Sequence, residues 1–306
     1  MKKIFTLIFT FIAFTLCQAQ TVDLSLKLEK GKEYKQVMTS RMTMVQKIEG
    51  EKIDIIATIN GTMVFGVRDI NEDGYLMEAR YESLGMIMKI LDDIISFSSE
   101  IDDPDDIFSR VFRAMKYTSF EVVMSKTGKI IEVRNLEAAW ESVINQFEQL
   151  SEEEKEQIKT QIVQAYGDDA MKGNIEMVTA FYPDKPVNKG DKWTIETKLE
   201  SGMDAKMTTK YKFVKLTPDY ALIKGTSKIK TDDLDAYVTS DETTIKYDLT
   251  GTMKSAIKVD RNTGWIIEAE VYQKIKGYAY MKDNSQLSDE LKIPIIMINE
   301  MLISDK

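Results

Sequence analysis

Between residues 33 and 88 polar and apolar side chains alternate with a period of two. Met38, Ser40, Met42 and Met44 share one side, and Val37, Thr39, Arg41 and Thr43 share the other. Such alternation predicts long strands with one buried face. A turn at Gly50 leads into a second strand from about Lys52 to Arg68, where Asn60-Gly61 suggests a bulge or bend. Asn71-Glu72-Asp73-Gly74 then turns the chain into a third strand from Tyr75. From Asp92 to Met115 the alternation fails. Pro104-Asp105-Asp106 reads there as the first turn of a short helix, because proline loses no needed hydrogen bond and the acids suit the helix dipole. Strands resume at Tyr117, and Lys126-Thr127-Gly128 makes a hairpin turn into Lys129 to Arg134.

The period changes to that of a helix over about Leu136 to Tyr182. Leu136, Trp140, Val143, Ile144 and Phe147 fall on one face, Ser151 and Glu154 have capping-box spacing, and Ile158, Ile162 and Tyr166 follow. Met171, Ile175 and Val178 predict a third helix, and Pro183 and Pro186 end the segment. From Asp191 strands continue to the C-terminus with the cleanest alternation in the chain. Ile245, Tyr247, Leu249, Met253, Ile257 and Val259 face Lys246, Asp248, Thr250, Thr252, Lys254 and Lys258. Pro294 places the last strand at a sheet edge, where its missing N–H does least harm and another chain would be able to pair.

The two β-rich segments read as copies of one unit. Gly31-Lys32-Glu33-Tyr34 corresponds to Gly190-Asp191-Lys192-Trp193, and Thr127-Gly128-Lys129-Ile130-Ile131-Glu132 matches Thr263-Gly264-Trp265-Ile266-Ile267-Glu268 at all but one position. The expected fold is therefore α+β, predominantly antiparallel β in two related repeats, residues 20–134 and 187–306, joined by a central helical segment, 135–186. The periodicity leaves open whether the repeats form one sheet or two modules.

The N-terminus adds a compartment. Lys2 and Lys3 precede an apolar run from Ile4 to Leu16, and Cys17-Gln18-Ala19 offers small residues at a cleavage site, so residues 1–19 read as a secretory signal peptide. The run is too short to span a bilayer, which needs ~20 residues. Leu16 disfavours lipidation of Cys17. An exported chain of this kind belongs in the periplasm, at the outer-membrane surface or outside the cell, with no transmembrane segment after processing. Removal of the leader takes away the only Cys and moves the formal charge from −9 to about −11. A nucleic-acid backbone would be repelled unless a local basic patch dominated, and the sequence contains no basic run.

His is absent throughout, which removes Ser-His-Asp and Cys-His triads and the common zinc sites. Carboxylate, Tyr, Lys or Ser-Lys catalysis remains open, but no catalytic residue and no cofactor is assigned. The Asp102, Asp103, Asp105, Asp106 cluster and the Asp232, Asp233, Asp235 cluster lack the glycine and terminal glutamate of a calcium loop, and solvated turns describe them better. Asp260 to Gly264 reads as a hairpin turn, and Glu268 with Glu270 as the wet face of a strand. No metal ligand set is assigned. Eighteen methionines are the positive signal. Thioether side chains are flexible and polarisable, so a Met-lined concavity would accept varied apolar ligands, although Met also fills ordinary cores. Copper(I) coordination by thioethers alone is a weaker reading without His or Cys partners. Met42, Met44, Met86, Met88, Met207, Tyr211 and Trp265 are the candidates for lining such a cavity.

The stretch from Tyr182 to Trp193, which carries Pro183, Pro186 and Gly190-Asp191-Lys192-Trp193 between helices and strands, resembles an uncharacterised family of secreted proteins of the Bacteroidota. The resemblance covers nearly all of the chain after the leader. It implies the same plan of strands, central helices and strands, and it transfers no activity. A fainter likeness of plan is to periplasmic lipid and lipoprotein carriers. The expected function is non-enzymatic binding of an apolar or amphipathic ligand. A cell-surface module with a protein partner is the alternative, and a carboxylate hydrolase the third reading.

Overall fold

The computed structural model describes residues 21–48, 50–103, 105–116, 118–199, 205–240, 243–283 and 291–306. The leader, Pro104 and Tyr117 lie outside them. Among the described residues the first strands are β1 (Glu33–Ile48), β2 (Glu51–Ile70), β3 (Tyr75–Ile90) and β4 (Asp93–Ser98). Helix α1 (Ile107–Lys116) follows, then β5 (Ser119–Met124) and β6 (Ile130–Arg134). The central helices are α2 (Leu136–Ile144), α3 (Glu152–Tyr166) and α4 (Asp168–Thr179). The remaining strands are β7 (Lys192–Leu199), β8 (Ala205–Leu216), β9 (Tyr220–Thr231), β10 (Val238–Ser240), β11 (Thr243–Asp260), β12 (Ile266–Asp283) and β13 (Leu291–Ser304).

These strands form one 13-stranded antiparallel sheet in the order β6-β5-β3-β2-β1-β13-β12-β11-β9-β8-β7, with β4 on β3 and β10 on β11. The sheet is continuous because β1 pairs with β13 from Val37↔Ser304 to Gln46↔Ile295. That pairing overturns the expectation of an edge position for the last strand, since β13 lies between β1 and β12. Proline is tolerated there because Pro294 opposes Tyr278 on the β12 side and sits one residue beyond the last β1 pair.

Two further expectations change. β4 occupies part of the stretch where alternation fails. It is a six-residue strand paired only with β3, and its consecutive Ile94 and Ile95 are both exposed, so no single buried face is written into it. Asn60-Gly61 continues β2 without interruption, and the irregularities in the β2–β3 register fall at Thr62/Met63 and Val67/Asp69. The central helical expectations match, and Ser151 and Glu154 form the reciprocal capping box of α3. The first helix starts later than expected: α1 begins at Ile107 with no acid in its first turn, and Asp105 and Asp106 precede it, Asp106 Oδ1 accepting from Ser109 N at 3.0 Å as a cap.

The sheet curls around one side of itself, and α4 packs against both of its outer strands, β6 and β7. Ile130 N on β6 donates to Glu176 Oε1 of α4 at 2.8 Å, while Trp193 Nε1 on β7 donates to the Phe181 carbonyl, just past α4, at 2.9 Å. Side chains from both halves thus meet in one core that includes Phe65, Met77, Val122, Trp140, Met171, Phe213, Ile223 and Trp265. A second cluster on β8 to β13 holds Met207, Ile229, Met253, Ile275 and Ile293.

An N-terminal strap closes one end. Leu24, Leu26 and Leu28 are buried, Leu26 N donates to the Lys126 carbonyl at 2.9 Å, and Lys27 N donates to the Thr263 carbonyl at 2.8 Å. The strap therefore bonds to the β5–β6 and β11–β12 hairpins at once. Both turns need glycine. Gly128 and Gly264 have φ of 80° and 72°, and an added Cβ would lie 2.0 Å from the Thr179 carbonyl oxygen and 2.3 Å from that of Ser25, respectively. No helix among the described residues is long and apolar enough to cross a membrane.

Candidate ligand-binding cavity

A cavity of about 270 Å³ lies between α4 and the inner faces of β1, β2 and β3. Strand alternation supplies Gln36, Met38 and Ser40 from β1 and Ile59, Gly61 and Met63 from β2. Helical spacing supplies Met171, Ile175 and Val178 from α4, with Met177 beside them and exposed Asn174 at the rim. Tyr81 and Leu84 of β3, Tyr166 of α3 and Met301 of β13 complete the wall. The position of Tyr166 is fixed from outside the cavity, because Trp140 Nε1 donates to its carbonyl at 2.8 Å.

The polar atoms of this wall are few. Ser40 Oγ donates to Asn299 Oδ1 at 2.8 Å, and the Tyr81 hydroxyl meets Met171 Sδ at 3.8 Å. Burial holds the Tyr81 and Tyr166 hydroxyls above the ordinary phenol value, so both stay neutral. Gln36 differs from them, since it is 9% exposed and its Nε2 is buried without a hydrogen-bond partner. An unpaired buried amide costs about 1–3 kcal/mol. The same side chain also borders a small void of about 10 Å³ beside Trp265, Phe181 and Tyr182.

The seven candidate residues are distributed around this cavity without lining it. Met42, Met44, Met86 and Met88 lie on the same inner face but further along β1 and β3, and each is half-buried. Met207 is buried in the second cluster. Tyr211 stacks on Trp193 with ring centroids 5.9 Å apart, and burial pushes its hydroxyl up to about 12. Trp265 packs on Tyr34 and Phe65 and donates from Nε1 to the Lys35 carbonyl at 2.7 Å. The methionines that do line the cavity are Met38, Met63, Met171, Met177 and Met301. One sequence signal pointed to them: Gln36 and Ser40 interrupt an otherwise apolar strand face.

The acidic clusters serve turns. Asp103 Oδ1 accepts from Asp105 N at 2.9 Å, Asp102 pairs with Arg113, and Asp233 Oδ1 accepts from Asp235 N at 2.8 Å. Asp260 Oδ1 accepts from the Asn262 and Thr263 amides, and Glu268 pairs with Lys258 at 2.6 Å. No group of three or more metal-ligating side chains converges among the described residues.

A curled antiparallel sheet closed by a helix over an apolar cavity defines the class of architecture. Within it, the chain belongs to the family of unknown function DUF6263, whose model matches residues 72–266. None of the curated proteins compared matches it. Among solved structures, one of lipid-protein interactions in lipovitellin is similar over 91% of this chain at 8% identity and a TM-score of 0.48. The chain spans 26% of the length of that protein. An outer membrane channel from Pseudomonas putida F1 (8% identity, 91% of this chain and 97% of that one, TM-score 0.23) is also similar. So is the β domain of the Bordetella autotransporter BrkA (7% identity, 89% and 100%, TM-score 0.23). Likeness at this level leaves the function to be argued from the cavity itself.

Proposed function

We propose that this is an exported, non-enzymatic binding protein of the bacterial envelope whose cavity takes the apolar part of a lipid-like or other amphipathic ligand. The observation that carries the reading is the unpaired Gln36 amide in a wall otherwise made largely of methionine and aliphatic carbon. Its Nε2 asks for an acceptor oxygen, which a carboxylate, ester or amide at one end of an apolar chain supplies. Five thioethers suit a ligand of variable shape. The volume lies just below the ~300 Å³ at which ligand pockets usually begin, which favours a single chain or a compact amphiphile. Export is supported by the leader-like pattern of residues 1–19, a basic start, an apolar run and small residues at a cleavage site.

The repeat reading belongs here too. We infer that β1, β2, β3, β5 and β6 correspond to β7, β8, β9, β11 and β12. It is supported by matched backbone bonds: Gly31 N to Val67 O with Val67 N to Lys32 O, and Gly190 N to Phe213 O with Phe213 N to Asp191 O.

Native mass spectrometry of protein purified gently from its own host, followed by displacement of a fluorescent fatty acid, tests the cavity. Gly61 pairs with Met38 and Leu84 on the inner face, and a Cβ there meets Leu84 Cδ2 at an ordinary 3.5 Å. Gly61→Leu should therefore fold and lower probe affinity at least about tenfold by filling the cavity. Unchanged probe binding in that variant, or a ligand-free native mass with no probe uptake, would overturn the reading.

A further inference from the structure

The sequence contains no basic run, yet the fold assembles a basic face. On β7, β8, β9, β11 and β12 the residues opposite the core point outward at every second position, and strand register aligns them in transverse rows. One row reads Lys198, Lys206, Lys230, Thr250, Lys276 and Ile296. The next three begin at Glu196, Thr194 and Lys192. Together the four rows hold eleven lysines against three glutamates, Glu196, Glu270 and Glu300. The eleven lysines are all exposed, and Glu196 is engaged by Lys206 at 3.2 Å. The whole chain carries 41 basic and 50 acidic residues, so this surface has a sign opposite to that of the protein.

We propose that this face docks on an anionic lipid bilayer. Charge complementarity selects an anionic partner, and three features select a membrane. The basic groups in the rows are lysines with no arginine, which suits a diffuse layer of headgroups better than bidentate reading of a phosphodiester. Large apolar side chains share the face, since Tyr272, Ile296 and Leu302 are 44%, 43% and 59% exposed. Tyrosine and aliphatic groups beside snorkelling lysines match the bilayer interface. Tyr272 and Leu302 also line an open depression of about 610 Å³ together with Lys224, Lys254, Glu270 and Glu300, which leaves a recess between the rows where apolar groups sit among charges of both signs. The inference stands on surface residues alone and is independent of the cavity reading.

Vesicle sedimentation tests it with the purified full chain. Binding to phosphatidylglycerol-containing vesicles should exceed binding to pure phosphatidylcholine, and should fall as salt rises. Replacing Lys224, Lys228, Lys254 and Lys274 by Gln should weaken binding by about fivefold per lysine, on the order of several hundredfold in all. An equal charge change off the face, at Lys126, Lys129, Lys185 and Lys189, should leave most of the binding intact. Leu302→Ser should weaken it as well, which charge attraction alone would not produce. Circular dichroism checks that each variant folds. Equal loss in the two lysine variants, no preference for anionic vesicles, or tighter binding to a DNA oligonucleotide than to vesicles at the same salt would overturn the proposal.

Discussion

The Thr179 hydroxyl donates to the Gly128 carbonyl at 2.7 Å, and so ties the last turn of α4 to the β5–β6 hairpin. Because α4 also meets β7, this bond helps hold the curled sheet closed over the cavity. Gly128→Ala should be severe. It combines a φ of 80° with a Cβ placed 2.0 Å from the Thr179 carbonyl oxygen, for an expected loss on the order of 3 kcal/mol in urea unfolding. Gly31→Ala is the comparison: its φ is 81° but nothing lies within 4 Å, so only the backbone term of about 1–2 kcal/mol applies. Equal losses in the two would show that the helix contact contributes nothing.

Gln36→Leu should separate stability from binding. With no partner for Nε2, the amide costs the ligand-free protein about 1–3 kcal/mol, and a leucine, one atom shorter and without the amide, removes that cost. The variant should unfold at higher urea and bind amphipathic probes more weakly. Purely aliphatic probes should be little affected. A less stable variant would mean that the amide is satisfied in solution, for instance by one water in the small void beside Trp265.

Much of this architecture is readable one residue at a time. Alternation along β9 assigns Ile223 and Ile229 inward and Lys224, Lys228 and Lys230 outward, and Ser151 with Glu154 marks the start of α3. What escapes is set by neighbours distant in sequence. The interior place of β13 depends on where β1 stops pairing, which Pro294 does not reveal. Met42 and Met38 are indistinguishable on one strand, and only the position of α4 makes Met38 a lining residue. The lysine face is similarly hidden, because its charges come from five strands with one lysine at most every second residue.

Tyr75→Phe should loosen the strap. Its hydroxyl donates to the Leu26 carbonyl at 2.8 Å and accepts from Leu28 N at 3.3 Å, so the substitution leaves two buried backbone groups unpaired. The expected cost is about 1–3 kcal/mol, with faster amide exchange at Leu28 and neighbouring strap residues. Exchange that speeds up uniformly across the sheet, with no excess in the strap, would argue that Tyr75 acts on the core as a whole.

Stability should be flat near neutrality and fall at both extremes. The chain has no His, so no side chain with an ordinary value near 6.5 titrates between pH 6 and 8. Arg80 holds the Glu33 carboxyl below its ordinary 4.5, and Lys116 does the same for Glu100. A lowered carboxyl contributes stability that is complete above its unfolded value and lost as pH falls through the folded one. Burial raises the hydroxyls of Tyr182 and Tyr211, the latter to about 12 from 10.0. A raised tyrosyl contributes stability that is complete below pH 10 and lost as pH climbs through its folded value. Urea midpoints should therefore decline below about pH 4.5 and above about pH 10, with a plateau between. Glu33→Gln should make the acid limb shallower, and Tyr211→Phe the alkaline one. A step in stability between pH 6 and 8 would require the α-amino group or a side chain moved far from its ordinary value.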